Sequence, residues 1–181
     1  MRFVFVSTME GYPWGGSEEL WSQSAMWLAQ NGHEVSASVR SWPHPLKPIE
    51  KLAEVGIFIQ RRKITLRDFW NYGMAKLSRS IVKRPAGLSV FKKWIASKRP
   101  HLTCFSDGGY TSSPLMMKAC YDLGLPYVSL GQMNDVCLWP QDDQLEHIGL
   151  GLMNARKVFF VSSANREMAE YQIGRFFPHA E

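Results

Sequence analysis

RFVFVSTMEGYPWGGSEEL, residues 2–20, is the stretch that decides the fold of this chain. Its apolar run, residues 3–6, is too short for a buried helix and predicts a buried strand of a parallel sheet. Gly15-Gly16 predict a sharp turn without a Cβ to obstruct a ligand. Ser17 is a predicted N-cap, and Glu18-Glu19 suit the positive end of a helix dipole. A strand, a glycine turn and a helix N-terminus form an anion-binding corner, and nucleotide phosphates are its usual ligands.

The helix after this turn has one apolar face and a defined end at Gly32. Its predicted buried face consists of Leu20, Trp21, Ala25, Leu28 and Ala29. The glycines lack the G-x-G-x-x-G spacing of a dinucleotide site, and Arg40-Ser41 after the next strand offer no acid to a ribose hydroxyl. The sequence also has no G-x-x-x-x-G-K-[ST] loop. A dehydrogenase or P-loop enzyme is therefore disfavoured, and a tight turn that binds nothing is the alternative.

The rest of the chain alternates short apolar runs with helical patterns. Further strands are predicted at residues 35–39, 57–59, 102–105, 127–130 and 158–161. Further helices are predicted at residues 48–54, 67–79, 88–98, 113–124, 142–154 and 163–174. This alternation predicts a single Rossmann-like α/β domain over residues 1–181, with a doubly wound parallel sheet of six or seven strands and helices on both faces.

The amino-acid composition limits the class of protein to which this chain can belong. An apolar share of 45% and a charged share of 20% predict an ordered globular chain. We expect no signal peptide and no membrane span, and the three scattered cysteines favour reduced thiols and a cytoplasmic location. The histidines form no cluster, so we expect no metal site.

The positive charge is concentrated in residues 61–99, which hold twelve Lys or Arg against one Asp. This segment is either a solvated helical face or a surface attracted to anionic lipid, which would place the protein at the inner face of a membrane. No nucleic-acid-binding motif accompanies the charge, so nucleic acid is not an expected partner.

Most of the predicted strands are followed by polar or glycine-rich residues, which lie together at one edge of a parallel sheet. These turns are Ser7-Thr8, Ser106-Asp107-Gly108-Gly109, Gly131-Gln132 and Ser162-Ser163. Asp107 either acts as a base there or forms a turn. Aromatic residues near the same edge either stack on sugar rings or cover the sheet; they are Tyr12, Trp14, Tyr110 and Trp139.

Three motifs in order, Gly15–Glu18, Asn31–Val35 and Lys157–Ser162, resemble the N-terminal, acceptor-binding domain of retaining GT-B glycosyltransferases of the large family four type. The resemblance implies two Rossmann-like domains facing a cleft. It also implies that Gly15, Gly16 and Ser17 approach the diphosphate of a nucleotide-sugar donor, which is a co-substrate rather than a cofactor. The acceptor would be a saccharide or a lipid-linked saccharide. The C-terminal donor domain with its E-x7-E signature is expected to be missing here, so the isolated domain should be inactive.

The sequence departs from that family after the fifth strand, where members often carry a histidine beside the reacting sugar carbon. Here the turn reads Gly131-Gln132-Met133-Asn134, so the role falls to Gln132 or Asn134, and neither can be a general base. A retaining reaction of this type leans on the donor phosphate as base. The predicted catalytic residues are therefore Gln132, Asn134 and Asp107. The alternative is a non-catalytic α/β module that binds a nucleotide or a polyanion.

Overall fold

A computed structural model describes residues 1–9, 12–44, 46–63, 88–108, 113–137 and 139–181. The strands are β1 (Arg2–Ser7), β2 (Glu34–Arg40), β3 (Phe58–Arg62), β4 (Leu102–Asp107), β5 (Tyr127–Gly131) and β6 (Val158–Phe160). The helices of these residues are α1 (Gly16–Gln30), α2 (Lys47–Glu54), α3 (Leu88–Lys98), α4 (Pro114–Asp122), α5 (Asp142–Met153) and α6 (Ser163–Ile173). The predicted helix 67–79 lies outside the described residues.

The six strands form one parallel sheet in the order β3-β2-β1-β4-β5-β6. The strand order reverses between β1 and β4, where Ser7 pairs with Ser106. In open α/β sheets, ligands bind in the crevice beyond the carboxyl ends of the strands at such a reversal. The predicted doubly wound, Rossmann-like fold is confirmed, and the switch point lies beside the Gly15-Gly16 turn.

The sheet divides the core into two clusters because successive strand residues point to opposite faces. Phe5 joins Trp21 and Ala25 of α1 and Leu52 of α2 on one face. The other cluster gathers Val4 and Val6 with residues of the four later helices, among them Phe91, Met117, Ile148 and Ile173. Helices therefore cover both faces, and the buried apolar area drives their packing.

Two details of α1 differ from the prediction. Gly15 is the N-cap, with an extended backbone and no side-chain cap, so Ser17 lies inside the first turn and is not the cap. Trp21 and Ala25 of the predicted face are buried, but Leu20 is 46% exposed, because the buried face continues through Ser17 and Ser22. The predicted stop at Gly32 is confirmed by its left-handed φ of 77°. None of the described helices is long and apolar enough to cross a membrane.

Candidate functional site at the switch point

The Gly15-Gly16 turn presents the N-terminus of α1 at the carboxyl edge of the sheet. The Gly15 carbonyl accepts hydrogen bonds from the N–H groups of Glu18 (3.0 Å) and Glu19 (3.1 Å), which closes the first turn. The earlier N–H groups of a helix have no partner within it and carry the positive end of its dipole. A Cβ built on Gly16 would meet no described atom within 4 Å. Among the described residues, the turn therefore leaves free space at Gly16, beside N–H groups that have no partner within the helix.

Glu18 holds this turn in place through hydrogen bonds on its buried side. Its carboxylate is buried and accepts hydrogen bonds from the hydroxyls of Ser7 and Ser17 and from Trp21 Nε1 at 3.3 Å. The contact from Ser7 ties α1 to the end of β1. The predicted donor-binding residue Ser17 is itself buried, with its hydroxyl turned to Glu18, so it would offer a ligand its backbone N–H rather than its side chain.

Asp107 joins the loops that follow three different strands. Its carboxylate is fully buried and accepts hydrogen bonds from the Thr8 and Ser113 hydroxyls. Its carbonyl accepts the N–H of Gln132 at 3.1 Å. Burial raises the pKa of Asp107 to about 6, although the hydrogen bonds from Ser113 and Thr8 and the charge of Arg62 act in the opposite direction. In this position Asp107 fixes the geometry of the edge, and a catalytic role for it stays a prediction.

The structure brings Gln132 close to the glycine turn. Gln132 Nε2 donates to Ser106 Oγ at 3.4 Å, and Ser106 Oγ in turn donates to the Ser17 carbonyl at 3.4 Å. Asn134 is one residue further away, because its amide donates to the carbonyl of Asn165 in α6, and Asn165 Nδ2 donates to the Gln132 carbonyl at 3.4 Å. Of the two predicted replacements for the missing histidine, Gln132 is the one closer to the glycine turn in this chain of contacts.

The predicted aromatic residues have different surroundings. Trp14 is half-buried against the α1–α2 core and donates from Nε1 to Glu19 at 2.7 Å. Tyr12 is 74% exposed, and Trp139 packs edge-on against Tyr171 with ring centroids 5.6 Å apart. Tyr110 lies outside the described residues. Only Trp14 combines contact with the core and proximity to the glycine turn among these described aromatic side chains.

Sequence reasoning missed a pocket between the loops that follow β1 and β2. Two adjoining shallow depressions share Val39, Arg40, Trp42, Leu46 and Ile49. The one nearer the glycine turn also contacts Ser7, Met9, Pro13, Trp14 and Glu18, and the other adds His44 and Arg61. The signal available in the sequence was the pair of tryptophans, one after each of the first two strands. In the part of the chain that the structure describes, no group of three His, Cys, Asp or Glu could hold a metal ion.

Neither a protein-family model nor a curated protein sequence matches the chain. Several solved structures, however, are similar to this chain in fold. Anabaena Alr3699/HepE in complex with UDP aligns with 100% of this chain and 43% of its own, at 14% identity and a TM-score of 0.61. The lipopolysaccharide outer core galactosyltransferase WaaB aligns with 100% of this chain and 44% of its own, at 14% identity and a TM-score of 0.59.

A third similar structure is the UDP-GlcNAc 2-epimerase of Neisseria meningitidis bound to UDP-GlcNAc, with 9% identity and a TM-score of 0.58. This chain covers 46% of that structure, so it spans less than half the length of each of the three. At such identities the likeness concerns the fold alone. The chain has the fold of one Rossmann-like domain of the glycosyltransferase GT-B type.

Proposed function

We propose that this chain is the N-terminal, acceptor-binding domain of a retaining GT-B glycosyltransferase of the family four type. It would act with a second, donor-binding domain on a nucleotide sugar and a saccharide or lipid-linked acceptor. The observation that carries the proposal is the Gly15-Gly16 turn, open at the topological switch point. Its N–H groups are suited to a diphosphate that becomes the leaving group of the transfer.

The roles of the edge residues follow from their contacts. The N–H groups of Gly16 and Ser17 would bind phosphate oxygens, with the helix dipole stabilising the negative charge that develops on the diphosphate. Gln132 would hydrogen bond to the transferred sugar or the acceptor hydroxyl, since its amide both donates and accepts but cannot remove a proton at neutral pH. The donor phosphate would then serve as the base. Asp107 would fix the positions of Gln132 and of the loop after β1 through its hydrogen bonds.

The test is sugar transfer by the natural full-length protein, assayed with UDP- and GDP-sugars and saccharide acceptors. Gly16→Val adds a branched side chain where we place the phosphate, and the free space around Gly16 allows the fold to accept it. We expect turnover to fall by a factor of about 100 or more, since one lost electrostatic contact costs roughly that much. Ser24→Val, an exposed substitution on the same helix, should retain activity.

A nucleotide-binding module without transferase activity is the competing function, because the epimerase that binds UDP-GlcNAc has a similar fold. Binding of nucleotide without transfer to any acceptor would favour that module. Equal turnover in Gly16→Val and the natural protein would remove the assignment of the glycine turn.

We also propose that the basic segment 61–99 brings the domain to anionic membrane from the cytoplasmic side. Its described part includes the exposed Lys92 and Lys93 on α3. Each cation near an anionic surface contributes about 1 kcal/mol, and salt screens it. Flotation with vesicles of phosphatidylserine and phosphatidylcholine should capture the protein at low salt and release it at high salt. Equal capture by pure phosphatidylcholine would contradict this.

A further inference from the structure

The pocket between the loops after β1 and β2 lies directly behind the glycine turn. Met9 lines it, and the Met9 methyl group would be 3.3 Å from a Cβ built on Gly15. The two depressions are continuous through Arg40 and Trp42, so the pocket extends from the turn toward the end of β3. A molecule in this pocket would therefore be next to a diphosphate bound at the turn.

The far end of the pocket is cationic. Arg61 is the register partner of Val39, so its side chain leaves the sheet on the face that carries the pocket. Arg61 is exposed and has no hydrogen-bond or ion-pair partner among the residues that the structure describes. Arg40 lies over the Trp42 ring with its guanidinium carbon 4.9 Å from the centroid, which orients its charge at the pocket wall. His44 completes this end.

The only acid among the described lining residues is Glu18, at the opposite end. Its carboxylate already accepts three hydrogen bonds and is 4% exposed, so it neither neutralises Arg61 nor repels a ligand placed beside Arg61. Trp14 and Trp42 form the apolar surfaces between the two ends. The combination of a flat aromatic surface with the exposed guanidinium of Arg61 suits a sugar ring that carries an oxyanion.

We propose that this pocket binds an acidic sugar of the acceptor, a residue bearing a carboxylate or a phosphate, with its oxyanion at Arg61 and its ring against the aromatic surface of Trp14 and Trp42. The inference rests on the proposed function in naming the ligand an acceptor, but the binding itself needs no donor and no second domain. Arg61 is then a specificity-determining residue for acceptor charge.

The experiment is an NMR titration of the 181-residue chain with three small probes: methyl glucuronide, glucose 6-phosphate and neutral methyl glucoside. We expect the amide signals of residues 40–44 to shift with both acidic probes, with at least about tenfold weaker binding of the neutral one. Salt should weaken the acidic complexes. If only one acidic probe shifts these amide signals, the anion of that probe, carboxylate or phosphate, is the one that the pocket binds.

Arg61→Gln should raise the dissociation constant of the acidic probes by about three- to tenfold and leave the neutral probe unchanged. Lys51→Gln removes the same charge from an exposed position of α2 outside the pocket and should change neither. Equal affinity for acidic and neutral probes, or equal effects of the two variants, would overturn the inference. Transfer from a nucleotide sugar to neutral acceptors would leave the proposed function standing while this inference fails.

Discussion

Asp107→Asn is expected to make the stability of this domain less dependent on pH, because it removes a buried group that ionises near neutrality. The Asp107 carboxyl has no exposed surface, and burial raises its pKa from 3.8 to about 6. An asparagine has nearly the same shape. Its amide can accept from one of the Thr8 and Ser113 hydroxyls and donate to the other, so the hydrogen-bond network survives.

The magnitude follows from proton linkage. Between pH 3.8 and about 6 the folded state holds the Asp107 proton and the unfolded chain does not. The contribution of this protonated carboxyl to stability is therefore fully present below pH 3.8 and is lost as pH rises through about 6. The shift from 3.8 to about 6 corresponds to about 3 kcal/mol.

Urea denaturation of the natural protein and of Asp107→Asn, in steps between pH 4 and pH 7.5, measures the difference in their unfolding free energies at each pH. The contributions of all other titratable groups are common to both proteins and cancel in this difference. We expect the variant to gain about 2 to 3 kcal/mol relative to the natural protein across this range, with most of the gain between pH 4 and about pH 6. Thr8→Ala and Ser113→Ala, which remove hydrogen bonds that favour the ionised carboxylate, should steepen the dependence. A difference that is constant with pH would refute the assignment of a raised pKa.

Two further substitutions test the contacts that hold the site. Glu18→Ala leaves three buried donors without an acceptor and should lower the unfolding free energy by about 2 to 4 kcal/mol. Glu19→Ala, at the exposed neighbouring position, should lower it by less than about 1 kcal/mol in the same urea experiment. Ser162→Ala removes the N-cap of α6, whose Oγ accepts the Asn165 N–H at 3.2 Å, and should cost about 1 kcal/mol by thermal or urea melting. Equal losses in Glu18→Ala and Glu19→Ala would contradict the buried network, and an unchanged Ser162→Ala would contradict the cap.

The elements of this fold could be predicted from sequence because its local signals agree. The apolar runs are short, glycines end several helices, and each of the six strands overlaps an apolar run, although β3 continues to Arg62, beyond the predicted residues 57–59. Gly32 and Gly174 adopt the left-handed backbone that a helix end requires. Such signals depend on neighbouring residues only, and they also place the strand-end turns at one edge of the sheet.

The contacts within the site depend on distant residues and could not be predicted in the same way. Glu18 suited a helix dipole by sequence, but its burial depends on Ser7 reaching it from β1. Asp107 resembled a base or a turn residue, but it lies at the end of β4, and its partner Thr8 comes from the loop after β1. The cap at Gly15 was missed because Ser17 is the stronger capping residue by type. The cationic pocket appears only when β2 and β3 are paired.

The central claim is that the Gly15-Gly16 turn binds the diphosphate of a nucleotide sugar, and an NMR titration of this chain with UDP tests it most directly. We expect the largest amide shifts at Gly16, Ser17 and Gln132, with an affinity near millimolar, or about 4 kcal/mol, because the turn offers only a few N–H groups. The shifts should disappear in Gly16→Val and persist in Ser24→Val. No shift at the turn at about 10 mM UDP would contradict the claim. Micromolar binding would instead indicate a nucleotide site that is complete within this chain.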